Sequence, residues 1–514
     1  FYVVRLPVIC RSCPFSILFL LGEEEYSEKS FIFVCMIDWN LIAGQIATVA
    51  FDIVYFGAII GTIIVIVLDN RNPVKTIAWI LILMFLPVVG LVFYFFFGRS
   101  QRRERIIGKK LYSRLMKKSM AEYMAQGSCR LPLHYSRLIS LFRNANQAFP
   151  FDGNRVLVYT EGLSMLQALL RELQKATQHI HMEFYIFEDD AIGRLVRDVL
   201  IDKARSGVEV RVLYDDVGCW HVPNSFFDQM REAGIEVRSF LKVRFPLFTS
   251  KVNYRNHRKI VVIDGRVGFV GGMNLAERYM RGVAWGIWRD THLLLEGKAV
   301  HGLQTAFLLD WYFVDRTLIT SARYFPKIDC VGSALAQIVT SEPVGPWREI
   351  MQGLCMALMG ARKYFYMQTP YFLPTESVLV AMRTAALAGV DVRLMIPMRA
   401  DSRLTHLASC SYLADVLQAG VKVYFYKIGF LHSKLVVSDD ELSTVGSTNI
   451  DFRSFEHNFE VNAFVYDVET ALQMREIFLQ DQRDCVQVFL KNWVKRPWHR
   501  KAAESVVRLF SPVL

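Results

Sequence analysis

Asn256-His257-Arg258-Lys259-Ile260-Val261-Val262-Ile263-Asp264 and Leu431-His432-Ser433-Lys434-Leu435-Val436-Val437-Ser438-Asp439 carry one pattern, H-x-K-x4-D, at two distant places in the chain. After six intervening residues each aspartate is followed by a second shared element, Gly271-Gly272-Met273-Asn274 and Gly446-Ser447-Thr448-Asn449. A three-residue pattern of this kind arises by chance about once in ten thousand windows, so two copies with matching tails mark a repeated functional unit. Histidine and lysine two positions apart on a β-strand point to the same face, where both can reach one phosphate. Asp264-Gly265 is a turn signal between two β-rich runs, so the strand after His257 is expected to fold back and deliver Gly271, Gly272 and Asn274 beside it. Glycine lets backbone N–H groups approach phosphate oxygens, Asn274 adds a side-chain donor, and Lys259 supplies positive charge to a phosphorane-like transition state. Lys434, Ser447 and Asn449 hold the matching places in the second copy.

The sequence around these motifs repeats as well. Gln178 to Ile186 leads through a helical stretch to Gly207-Val208-Glu209-Val210-Arg211, and Ala361 to Thr369 leads to Gly389-Val390-Asp391-Val392-Arg393. Ala233-Gly234-Ile235-Glu236-Val237 then matches Ala419-Gly420-Val421-Lys422-Val423. Short β-rich runs alternating with helical stretches predict an α/β fold, and the repeated order predicts two homologous halves, 150–335 and 336–490. The first half is longer between Gly234 and His257 by an insertion around Lys242 to Asn253, which mixes basic and aromatic residues. Such a loop is a candidate for substrate contact or a tolerated surface insertion.

Before residue 100 the chain is of another character. At 53% hydrophobic residues the composition is apolar, and most of the excess lies there. Residues 1–35 form an unassigned extension, with Met36 as an alternative start. Residues 36–100 are expected to be a membrane anchor with two transmembrane helices at about 50–68 and 76–97, Pro87 being tolerated inside the second. The loop between them has two basic residues, whereas Arg99 to Lys118, running from the end of the anchor into a juxtamembrane linker at 101–149, has nine. This asymmetry places the following catalytic region in the cytoplasm. A net charge of +11 suits an anionic partner, either phospholipid or nucleic acid. The nine cysteines show no disulfide-rich spacing, and Cys10 and Cys13 lack a second ligand pair for zinc. Residues 491–514 interleave Trp493, Trp498 and Phe510 with basic residues, which fits either an interfacial segment or a helix packed on the core.

On the duplicated motif and its tails, the chain resembles the phospholipase D superfamily over about residues 150–490, and with the apolar stretches it resembles bacterial cardiolipin synthases of the two-span type. The resemblance implies two α/β halves about a pseudo-twofold axis, both histidines facing one phosphate, and no metal or other cofactor. It implies double displacement, with His257 as nucleophile and His432 as acid/base, although the residues themselves are nearly symmetric and leave that assignment open. Each histidine needs a carboxylate on its other ring nitrogen to set its tautomer. Asp264 and Asp439, members of the motif, read as turn-forming residues. Asp290 and Glu460 lie further on, at corresponding places in the two halves, and the resemblance implies that they cross over, Glu460 to His257 and Asp290 to His432. Ordinary strand-edge acids in salt bridges would account for the same residues. Glu183 and Gln368 occupy matching positions and read as a lysine neighbour with its neutral counterpart, or as satisfied core groups. Arg453 and Ser454 are candidates for a headgroup pocket, while His292, His406 and His457 have no complete metal-ligand spacing.

The expected reaction is cardiolipin synthesis from two anionic phosphatidylglycerol molecules, at the bacterial inner membrane in a multi-pass protein and without nucleic acid. Water as acceptor would make the chain a hydrolase, and another alcohol a different phosphatidyltransferase. A nuclease of the same superfamily would use the basic surface for nucleic acid, a reading that two membrane spans disfavour. Oligomeric state is not encoded in these motifs.

Overall fold

The computed structural model describes residues 15–17, 35–37, 39–68, 73–94, 132–242 and 254–512. The chain divides into two compact units, residues 1–99 and 100–514. Cys10, Cys13, the basic run from Arg99 to Lys118 and all of the insertion beyond Lys242 lie outside the described residues.

In the first unit Phe15–Ile17 pairs antiparallel with Cys35–Ile37. Helix α1 follows, Trp39–Leu68, whose 30 residues extend about 45 Å at 1.5 Å each. Its stretch Ala43–Leu68 is long and apolar enough to cross a bilayer, and it turns Phe51, Val54, Ile60 and Val67 outward, where a water-facing helix would carry charge. The second expected span is not one continuous helix. Helix α2, Pro73–Phe85, stops and helix α3, Pro87–Phe93, begins after Leu86, whose φ of −134° and ψ of 66° are not helical. Pro87 causes the break, because its ring displaces the carbonyl four residues back and it has no N–H to donate. Among the described residues α1 alone meets the length of a full span. Ile66, Leu83 and Tyr94 pack α1 against the broken pair.

Among the described residues the second unit is built on a sixteen-stranded sheet. Seven strands of the first half are β1 Pro150–Tyr159, β2 His179–Phe184, β3 Glu209–Asp215, β4 Glu236–Phe240, β5 Ile260–Ile263, β6 Val267–Gly271 and β7 His292–Glu296. Their counterparts are β8 Ala334–Ser341, β9 Tyr364–Gln368, β10 Asp391–Pro397, β11 Lys422–Tyr426, β12 Leu435–Ser438, β13 Leu442–Gly446 and β14 Asn458–Tyr466. The order of these fourteen across the sheet is β11-β10-β9-β12-β13-β14-β8-β1-β7-β6-β5-β2-β3-β4, with Cys485–Val488 added at the edge beside β11 and Arg255–Asn256 pairing with β14. Each half therefore lists the other in reverse, and β1 meets β8 antiparallel at the centre. This is the order a twofold axis through the β1–β8 seam produces.

Within each half three strands run parallel, β2-β3-β4 and β9-β10-β11, and are linked through helices that cover the sheet. The motif hairpins β5–β6 and β12–β13 are antiparallel. Strand β2 shows how polar residues enter this core. Ile180, Met182 and Phe184 face one side, while His179, His181 and Glu183 face the other, buried beneath helix α4, Val300–Asp315. Gln304 of α4 satisfies both histidines, at 3.1 Å from His179 Nε2 and 2.7 Å from His181 Nδ1. A hydrophobic cluster drawn from both halves, including Leu293, Val300 and Trp311 with Val461, Met474 and Phe478, makes the repeat a single body.

Candidate active site

Two short strands carry the chain into the motif histidines. Arg255–Asn256 pairs in parallel with the start of β14, placing Asn256 opposite Phe459. Gly429–Leu431 pairs in parallel with Ile287–Arg289, placing Leu431 opposite Arg289. In both pairings one more residue along each strand is a histidine opposite an acid of the other half. The backbone N–H of His257 donates to Phe459 O at 2.9 Å, and that of His432 to Arg289 O at 2.7 Å.

The side chains meet accordingly. His257 Nδ1 lies 3.0 Å and 3.1 Å from the two oxygens of Glu460, and His432 Nδ1 lies 2.6 Å from Asp290 Oδ2. A carboxylate at Nδ1 keeps the proton there and leaves Nε2 as the basic nitrogen. Glu460 is itself held by Ser447 Oγ and by Asn458 Nδ2, the latter at 3.1 Å. Asp290 accepts from the Thr291 N–H at 2.7 Å. Lys259 Nζ donates to His257 O at 2.5 Å, and Lys434 Nζ donates to His432 O and stands 2.8 Å from His432 Nδ1.

All of these groups are buried, and burial governs their protonation. It holds His257 below the ordinary imidazole value and takes His432 down to about 3, with Lys434 adding to the effect and Asp290 opposing it. Lys259 is lowered by burial to about 7 and Lys434 to about 8. Glu460 and Asp290 are held below the usual carboxylate range, their burial outweighed by the lysine and histidine charges. The charge of Lys434 bears on His257 and that of Lys259 on His432, so the two motifs share one electrostatic environment.

Other motif residues serve the frame. Asp264 and Asp439, grouped with the catalytic residues by their place in the motif, adopt left-handed backbone with φ of 52° and 55°. Their oxygens are used elsewhere: Asp264 accepts from the N–H groups of Thr177, Gln178 and His179, and Asp439 from those of Arg362, Lys363 and Tyr364. Each aspartate thus ties its hairpin to the start of the neighbouring strand. Gly272 and Ser447 were expected to offer N–H groups to phosphate, but those groups donate at 2.9 Å to Thr291 O and Val461 O. Gly272 instead makes room, since a Cβ there would stand 2.1 Å from Asp290 Oδ1. Asn274 accepts from Ile186 N at 3.1 Å and donates to Tyr279 Oη at 2.6 Å, whereas Asn449 Oδ1 is buried with no partner. Ser454 is likewise structural: its N–H donates to Asp451 and its hydroxyl accepts from Asn449 N.

Comparison with known proteins agrees with this architecture. The family described as "Cardiolipin synthase, PLD-like domain" matches residues 169–285 and 354–482. A cardiolipin synthase of Geobacillus kaustophilus is 40% identical over 470 residues, covering 90% of this chain and 94% of that protein. The chain belongs to the cardiolipin synthase family. The major cardiolipin synthase of Bacillus subtilis is 39% identical over 481 residues, covering 91% of this chain and 100% of its own. The family described as "Phospholipase_D-nuclease N-terminal" matches residues 57–99. A phosphatidylserine synthase of Haemophilus influenzae shares the fold at a TM-score of 0.57 and 14% identity, over 74% of this chain and 100% of that one.

In this cardiolipin synthase family member four aromatic residues around the histidines escape the motif reading. Tyr185 lies edge-on to His257 with ring centres 5.0 Å apart, and Lys259 Nζ sits 5.3 Å from the same ring. Tyr279, Trp288 and Phe430 surround His432 at 5.9, 5.2 and 5.6 Å. Tyr185 follows β2 directly and Trp288 and Phe430 lie within two residues of Asp290 and His432, so proximity to the motifs was the available signal. Tyr279 had none, because a helical turn brings it in. Glu183 lies among buried groups: it accepts from Asn256 Nδ2 and is held well above the usual carboxylate range by burial and by Asp310.

Proposed function

We propose that this enzyme transfers a phosphatidyl group from one phosphatidylglycerol to another, releasing glycerol and forming cardiolipin. The observation that carries the reading is the crossed pair, His257 with Glu460 and His432 with Asp290, each acid coming from the other half. His257 Nε2 attacks phosphorus as the neutral imidazole that burial favours, giving a phosphohistidine. His432 donates a proton to the departing glycerol oxygen and then takes one from the hydroxyl of the second phosphatidylglycerol. Lys259 and Lys434, with Asn449, neutralise and hold the phosphate oxygens. An anionic substrate between the lysines favours the imidazolium form that His432 needs as an acid. The aromatic residues around His432 limit water near the intermediate, which supports an alcohol rather than water as acceptor.

The protein is anchored in the bacterial inner membrane by α1, with α2 and α3 forming a second, kinked pass and the catalytic unit in the cytoplasm. The apolar outward surface of α1 and the nine basic residues from Arg99 to Lys118 support this orientation. The test supplies phosphatidylglycerol in vesicles without added metal and follows lipid products. Cardiolipin with stoichiometric glycerol is the expected outcome. Phosphatidic acid as the sole product would replace this reading with a hydrolase.

A further inference from the structure

Helix α7, Trp498–Arg508, near the end of the described chain, is amphipathic in the wrong sense for a helix in water. Its inner side is largely polar. Glu504, only 2% exposed, binds Arg496 at 2.5 Å and Arg500 at 3.3 Å, and Arg508 pairs with Asp415 at 3.1 Å on helix α5, Arg403–Gln418. Only Val507 joins the apolar core from this side. Trp498, Ala502, Val506 and Leu509 follow one another at helical spacing on the opposite side, where Trp498 is 79% and Leu509 77% exposed. Phe510, Val494 and Phe489 add further exposed apolar surface. A helix kept in water gains nothing from this arrangement, because the hydrophobic effect drives the apolar face inward.

Charge identifies the occupant. Residues 489–514 contain Lys491, Lys495, Arg496, Arg500, Lys501 and Arg508 but one acid, Glu504, whose carboxylate is consumed by two of those arginines. With Arg508 held by Asp415, the charges this segment leaves to solvent are those of Lys491, Lys495 and Lys501, all positive. A second copy of the chain docked face to face would set these cations against their own kind. A leaflet of anionic phospholipid offers both what the apolar side chains need and what the lysines need.

We infer that α7 is an interfacial attachment site, with Trp498, Val506, Leu509 and Phe510 at the acyl boundary of an anionic bilayer and Lys491, Lys495 and Lys501 against lipid phosphates. The inference goes beyond the proposed reaction and does not depend on it. Docking here would hold the catalytic unit on the leaflet independently of the anchor in the first unit.

The experiment uses the full chain reconstituted into vesicles whose phosphatidylglycerol carries brominated acyl chains, a short-range quencher of indole emission. Subtracting the spectrum of the Trp498→Phe variant isolates Trp498. The expected result is loss of most of the Trp498 emission, weaker loss in brominated phosphatidylcholine alone, and recovery when Val506→Glu and Leu509→Glu are combined. Both substitutions face solvent and leave the Glu504 ion pairs in place, and an unchanged melting temperature verifies that the variant is folded. An unquenched, water-like Trp498 signal in anionic vesicles overturns the inference. Equal quenching in neutral lipid overturns its electrostatic part. Shielding of Trp498 that follows protein concentration in detergent, rather than lipid, assigns the face to a second copy and likewise overturns it.

Discussion

The two halves of the catalytic unit share a backbone plan yet support their histidines differently. His257 faces a glutamate, held by Ser447 and Asn458, whereas His432 faces the shorter Asp290, which approaches closely because Gly272 has no side chain. Beneath β2 lies the buried acid Glu183, close to Asp310 and Arg258, while at the matching place in β9 the neutral Gln368 donates to Asp481 at 2.7 Å. Asp310 pairs with Arg258, and Asp481 with Arg289 through two contacts of 3.0 and 2.7 Å. Duplication supplied a symmetric frame, and the halves then diverged in the residues around each imidazole. Such divergence supports the proposed division of tasks between the two histidines, because a nucleophile and an acid need different proton affinities.

The largest effects are expected from removing each histidine in turn. His257→Ala and His432→Ala are each expected to lower transfer by about 10⁴-fold or more, as loss of a nucleophile or its base does elsewhere. A phosphatidyl ester of p-nitrophenol separates them, since that leaving group needs no proton. His432→Ala should recover p-nitrophenol release and His257→Ala should not; the reverse pattern would exchange their roles.

Removing the orienting acids comes next. Glu460→Gln and Asp290→Asn should each reduce kcat by about 10³-fold, because an amide no longer stabilises the imidazolium and presents the wrong tautomer. The supports can then be exchanged between halves. Gly272→Ser should cost about 10²-fold by pushing Asp290 out of position, whereas Ser447→Gly should cost about tenfold, the worth of one hydrogen bond to a carboxylate. Equal losses in steady-state assays would show that the two supports are interchangeable.

The lysines give the comparison a pH axis. Lys259 is lowered to about 7 and Lys434 to about 8, and both are cationic only below those values. A rise in pH through 7 to 8 therefore removes the charges proposed to receive the phosphate, and kcat/KM should fall across that window. Lys259→Arg should extend activity to higher pH, because guanidinium keeps its proton. A profile that is flat to pH 9 in the parent enzyme would remove the lysine explanation.

The smallest effect is expected at Glu183. Burial and Asp310 raise its folded-state proton affinity, so Glu183→Gln, which mimics the protonated acid, should change stability by less than about 0.5 kcal/mol at mildly acidic pH. A group with a raised folded pKa contributes stability at low pH and loses it as pH rises through that value. The variant should accordingly melt above the parent at alkaline pH, by a margin that grows with pH. Thermal melts at pH 5 and 9 measure this.

Much of the fold could be read directly. The positions of His257, Lys259, His432 and Lys434, the hairpins after them and the order of the repeat follow from local spacing, since strand period and turn chemistry act over a few residues. Pro87 acts by a local rule too, for it divides the apolar stretch into α2 and α3. Gly272 and Ser447 are different. Spacing predicts that they lie near the histidine, but whether an N–H faces substrate or a neighbouring strand depends on sheet partners distant in sequence. Tyr279 entered the site unannounced for the same reason.

By itself the amino-acid sequence determined the duplication, the paired histidine–lysine motifs and the apolar character of the N-terminal region, because each is written in residue type and spacing. Tertiary structure alone decided which acid meets which histidine. Asn256 pairs with Phe459 and Leu431 with Arg289 across about 140 to 200 residues of chain, and parallel register then sets His257 beside Glu460 and His432 beside Asp290. No local pattern encodes that pairing, since it exists only where two halves close on each other.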